Sequence, residues 1–159
     1  MWNRERSVLL TQLIVRACYI LLAAAVIALP FLFAQSQSPN EINMIADLGK
    51  YIIGPFYAIV PAGYTALICI DKLLSNIKKD IVFDPKNVKF LRIISWSCFF
   101  AAAVCLLAFV IITLSSDYTV GLGLLLITAG AVFMGLILRV IKNVFEAAIK
   151  IKTENDLTI

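Results

Sequence analysis

Four long apolar stretches alternate with polar segments along the chain, at about 9–33, 51–70, 93–114 and 120–138. An α-helix rises 1.5 Å per residue, so about 20 apolar residues cross the roughly 30 Å hydrocarbon core of a bilayer. Each stretch is therefore read as a membrane-spanning helix. In the first, Ala17–Phe33 carries no charge, and Val8–Val15 lengthens it toward the N-terminus. Arg16 can reach the headgroups by extending its stem along the apolar surface.

The connections carry their own patterns. Ala34–Lys50 holds Gln, Ser, Pro and Asn, then Glu41, Asp47 and Lys50, and is read as an external loop with a short amphipathic piece at Ile42–Leu48. Segment 71–92 is a charged internal loop. Within it Leu73, Leu74, Ile77 and Ile81 keep a helical spacing, which predicts that the second helix runs on past the membrane. Asp84-Pro85 marks a turn, and Asn87–Arg92 opens the third helix. Ser115–Thr119 is so short that spans three and four are expected to form an antiparallel hairpin. Segment 139–159 begins as an amphipathic helix, with Ile141, Val144, Phe145, Ala148 and Ile149 on one stripe and Lys142, Glu146, Lys150 and Lys152 away from it. Its end, Thr153–Ile159, is expected to fray. The predicted fold class is an all-α membrane protein, a single domain over 1–159. It is a four-transmembrane-helix bundle with helices 2 and 4 extended into the cytoplasm.

Composition supports lipid as the solvent. The 159 residues are 62% hydrophobic and 15% charged, against about 45–50% and about 25% in a soluble domain. A soluble fold of this size could not hide that much apolar surface. Charge placement sets the orientation. Of the 14 Lys and Arg, all but Lys50 fall in the N-terminal segment, the 71–92 loop or the C-terminal segment. The positive-inside rule places those segments, and both termini, in the cytoplasm. The basic excess is then the usual signature beside anionic lipid. No aromatic-interleaved basic patch points to nucleic acid. The N-terminus resembles a signal peptide, but its apolar run exceeds the usual core of about 7–15 residues.

Candidate chemistry is sparse. There is no His, which removes the commonest general base and metal ligand. HExxH, Walker, GxSxG and Rossmann patterns are absent. Cys18, Cys69, Cys98 and Cys105 all lie in apolar stretches without a CxxC, which fits packing cysteines better than a metal or redox site. No charge lies deep in a span, as ion-coupled transport usually requires. The expectation is a non-enzymatic protein without cofactors or metal. Pro61 lies near the middle of the second span and is expected to kink it, either lining a ligand cavity with Tyr57 and Tyr64 or bending a packed helix. Gly121, Thr128 and Gly135 recur every seven residues, and Ala131 with Gly135 forms a small-xxx-small pair. They serve internal packing or a homo-oligomer seam. Asn87 is read as a helix cap. Arg92 is read as a headgroup anchor or as the partner of Glu146 or Asp156.

Two segments carry a resemblance. Phe83-Asp84-Pro85-Lys86-Asn87-Val88-Lys89-Phe90-Leu91-Arg92 precedes the third span. Phe133–Glu146 leads to the tail Glu154-Asn155-Asp156-Leu157-Thr158-Ile159. Together they resemble domain of unknown function 2975, a family of small bacterial four-span membrane proteins often encoded beside a Cro/CI-type helix-turn-helix regulator. The resemblance implies a regulatory membrane protein that binds or sequesters such a regulator at its cytoplasmic face. Asn87, Arg92, Phe145, Glu146, Asn155, Asp156 and Leu157 are the candidate partner contacts. The alternatives are small-molecule or peptide binding, efflux or immunity around Pro61, and an assembly role in a larger membrane complex.

Overall fold

The computed structural model describes residues 4–35, 44–79, 81–114 and 118–156. They form four helices: α1 (Arg4–Gln35), α2 (Met44–Lys78), α3 (Pro85–Leu114) and α4 (Tyr118–Asp156). All four are long and apolar enough to cross a membrane, so the chain is a multi-pass, all-α membrane protein. Each helix packs mainly on its neighbour in sequence: α1 on α2, α2 on α3 and, most extensively, α3 on α4. The bundle is therefore open-sided, with α3 at its centre.

The sequence of α3 explains that position. Val88, Leu91, Ile94, Ala102, Cys105, Ala108 and Ile112 are buried at helical spacing. Three of the seven are small, and small residues let helices approach closely in lipid. In contrast α1 buries little. Leu13, Ile20, Leu21, Ile27, Phe31 and Leu32 are all more than 60% exposed. Water would penalise such a surface at roughly 25 cal/mol per Å²; lipid tails accept it.

Helix length shows where the protein leaves the membrane. The 39 residues of α4 extend about 58 Å at 1.5 Å per residue, nearly twice the hydrocarbon core. α2, with 35 residues, also overshoots. The end of the bundle that holds the α2–α3 connection and the C-terminal half of α4 also holds most of the Lys and Arg; we call it the basic end.

Several expectations change in detail. α2 begins at Met44, so residues 44–50 are helical rather than loop; the polar Asp47 and Lys50 hide a helix that simply continues from the span. Residues 36–43 of the expected loop and residues 115–117 of the short turn lie outside the described residues. As the spacing of Leu73, Leu74 and Ile77 predicts, α2 runs on through Lys78, leaving a short connection before Pro85. α2 runs through Pro55 and Pro61 as one helix, which is compatible with the expected bend at Pro61. In the tail, residues 153–156 belong to α4, while Leu157 lies outside the described residues.

Candidate functional site at the basic end

The α2–α3 connection is built around one side chain. Asn87 is fully buried. Its amide nitrogen donates to the carbonyls of Ile81 and Val82, both at 2.8 Å, and its Oδ1 accepts from the Asn76 amide at 2.7 Å. Asn76 in turn takes the Lys79 and Ile81 backbone N–H groups on its own carbonyl, at 3.1 and 3.0 Å. The two asparagines thus lock the end of α2, the connection and the first turn of α3 together. Asn87 is not the helix cap that its position suggested. Asp84 caps α3: its Oδ1 accepts from the Lys86 N–H at 2.7 Å, and its carbonyl from the Asn87 N–H at 2.9 Å. Asp84 before Pro85 is the favoured combination, because proline at the first helical position lacks an N–H that would go unpaired anyway.

The α4 extension closes onto this corner. Phe145 meets Phe83 with ring centroids 6.4 Å apart. Glu146 lies 3.7 Å from Arg92 and 3.2 Å from Lys142. Both Arg92 and Glu146 are well exposed, so these pairs orient side chains more than they stabilise the fold. Between α3 and α4 lies a groove of about 240 Å³, lined by Pro85, Val88, Lys89, Arg92, Glu146 and Ile149. Its floor is apolar and its rim charged. Of the residues singled out from the sequence, Asn87, Arg92, Phe145 and Glu146 converge on this corner. Asn155 is exposed farther along α4, and Asp156 ends the helix.

Deeper in the bundle, the Ser95 hydroxyl donates to the Gly135 carbonyl at 2.9 Å, both buried. A Cβ at Gly135 would meet the Phe99 ring at 3.2 Å. Thr128 is also buried, while Ala131 is half-buried. Gly135 therefore serves the α3–α4 contact inside one chain. Gly121 lies near the start of α4.

Tyr57 and Tyr64 turn toward α1. Tyr64 faces Tyr19 with centroids 6.2 Å apart. The Tyr57 hydroxyl donates to the Val26 carbonyl at 2.8 Å. That carbonyl lies four residues before Pro30, which sits inside α1 and has no N–H to offer it. Tyr57 thus satisfies an acceptor that proline leaves free in lipid. Pro61 itself is exposed, and its carbonyl accepts from Thr65 Oγ1 at 2.7 Å. Tyr57→Phe should lower stability by about 0.6–1.7 kcal/mol, the range for polar contacts between membrane helices. In a Pro30→Ala background the loss should shrink, because an alanine at that position restores the helical donor. Thermal unfolding of the four proteins in detergent measures this coupling; equal losses in both backgrounds would rule it out.

The sequence reading missed Asn76, Ser95, Phe99 and Val26. A signal existed for two of them. Asn76 is a lone amide within the apolar spacing Leu73, Leu74, Ile77, and Pro30 marks Val26 as a carbonyl in need of a donor. Among the described residues the four cysteines are free, and no cluster of His, Cys, Asp and Glu is arranged to hold a metal. No curated protein and no solved structure matches the chain. Residues 33–159 match the family described as Protein of unknown function (DUF2975), a match that takes in α2, α3 and α4 and the connection between α2 and α3. It spans most of the chain, which therefore belongs to that family.

Proposed function

We propose that this is a non-enzymatic regulatory protein of the bacterial cell membrane, with both termini cytoplasmic. In this reading the basic end binds a small helix-turn-helix regulator and keeps it from DNA. The observation that carries the reading is the groove of Pro85, Val88, Lys89, Arg92, Glu146 and Ile149 on a corner braced by Asn87. An apolar floor with a charged rim suits the apolar face of a partner helix. Val140, Val144 and Ile151 are also exposed, each at 60% or more, but at 100° per residue they lie on the opposite side of α4 from Ile149 and are not part of the groove. The orientation rests on the positive-inside rule.

Crosslinking pull-down from native membranes tests the proposal, using the full chain, a chain ending at Ile149 and an Ile149→Glu variant. The full chain should capture a small DNA-binding protein. The Ile149→Glu variant, with a charge in the apolar floor, should retain no more than about a tenth of it, the effect of losing about 1.4 kcal/mol. Loss in the shortened chain would add the tail to the docking surface. If the regulator is absent from every capture, or held equally by Ile149→Glu, the reading fails.

A further inference from the structure

A second cavity lies beside the groove, one turn nearer the membrane. It has a volume of about 260 Å³ and is lined by Arg92, Ser95, Trp96, Arg139 and Lys142. Three of its five lining residues are cations. One carboxylate, Glu146, answers two of them, Arg92 and Lys142. Arg139 has no carboxylate partner among the described residues; its guanidinium sits 5.8 Å from the centre of the Phe99 ring. Lys142 is held close, with its side chain only 17% exposed. The cavity therefore carries an uncompensated positive charge.

Its place in the fold narrows the ligand. Arg92 and Arg139 come from antiparallel helices and are the charged residues that bound the uncharged runs of α3 and α4 at the basic end. Trp96, one turn inward from Arg92, is 63% exposed. An exposed tryptophan beside arginines is the arrangement of a membrane–water interface. Arginine's planar fork of donors matches phosphate oxygens, and lysine adds a point charge.

We propose that this cavity binds a phosphate-type oxyanion at the membrane surface, the chemistry shared by an anionic phospholipid headgroup and free phosphate. Arg139 and Lys142 grip the oxygens, Arg92 closes the outer side, and Trp96 rests against the acyl chain of a lipid ligand. The site shares Arg92 with the groove, but Arg139 and Lys142, which grip the oxygens, do not line it, so this proposal can fail while the docking reading stands.

Trp96 supplies the readout. The chain has two tryptophans, so Trp2→Phe leaves Trp96 as the sole emitter. This protein is reconstituted in phosphatidylcholine vesicles holding a minor fraction of phosphatidylglycerol, with bromine on the acyl chains of one lipid or the other. Brominated phosphatidylglycerol should quench Trp96 beyond its share of the lipid. Arg139→Gln and Lys142→Gln should each reduce that preference about fivefold, equivalent to the ~1 kcal/mol that one basic side chain contributes beside an anionic surface. Lys150→Gln removes a cation from the same helix, outside the cavity, and should leave the preference intact. Displacement of the excess quenching by millimolar inorganic phosphate, but not by chloride salt of matched ionic strength, would support the oxyanion site with a soluble source. Retention of the quenching would support the lipid headgroup. Quenching in proportion to bulk lipid overturns the proposal, as does an equal loss in Lys150→Gln. Far-ultraviolet circular dichroism on each variant confirms that the helices are present when the preference is read.

Discussion

Asn87→Asp should be the most damaging single-atom exchange in the connection between α2 and α3. The substitution keeps the shape of the side chain and removes the amide that serves Ile81 and Val82. Two donated bonds become contacts between acceptors, in a side chain with no exposure to water. A buried polar group left without its partner costs about 1–3 kcal/mol. Both carbonyls lose their donor at once, so the expected loss is about 3 kcal/mol. Asn87→Ala should follow, at about 2–3 kcal/mol by the same rule, because it orphans the same carbonyls without placing an acid against them. Asn76→Ala breaks only the bond to Asn87 Oδ1 and should cost about 1–2 kcal/mol. Thermal unfolding in detergent gives the order, and limited proteolysis shows where it acts: cleavage between Lys79 and Asp84 should rise first. An Asn87→Asp protein as stable as its parent, with that segment still protected, would show that the asparagine bracket does not hold the corner together.

The corner was only partly legible in the sequence, and the reason is physical. Apolar runs and the lopsided Lys and Arg distribution report one-dimensional properties, because insertion depth is set along the chain. The spans were visible for that reason. The extension of α4 was visible too, since Ile141, Val144, Phe145 and Ile149 keep a helical period. Asn87 illustrates what one dimension conceals. Its place after Asp84-Pro85 suggested a cap, because local rules know only local partners. Its actual partners are Asn76, across the connection, and two carbonyls that become acceptors only once the chain turns. Tyr57 shows the same limit. Pro61 nearby suggested a cavity, yet the proline that matters to Tyr57 is Pro30 on another helix. The start of α2 was misplaced for a different reason. Polar residues such as Asp47 and Lys50 are compatible with a helix leaving the membrane as well as with a loop, and hydropathy does not separate the two.

The second large effect belongs to Gly135, and it decides what the small residues of α4 are for. Gly135→Ile should cost about 2–4 kcal/mol. A Cβ there already meets the Phe99 ring at 3.2 Å, and overpacking of this kind costs about 1–3 kcal/mol. Spreading the helices also breaks the Ser95 bond to the Gly135 carbonyl, typically about 0.6 kcal/mol between membrane helices. Phe99 cannot simply swing aside without leaving the Arg139 guanidinium that it supports. Gly130 is the control. Nothing lies within 4 Å of a Cβ at that position, so Gly130→Ile should change stability by no more than about 0.5 kcal/mol, in the stabilising direction that helix propensity predicts. Unfolding in detergent compares the two, and chemical crosslinking in membranes reads self-association alongside. Loss of stability in Gly135→Ile alone, with self-association unaltered, is the outcome expected of a contact within one chain. If Gly135→Ile instead unfolds like its parent and loses only a crosslinked dimer, Gly135 belongs to a seam between copies, and the packing of α3 on α4 must rest on the buried stripe of Ala102, Cys105 and Ala108.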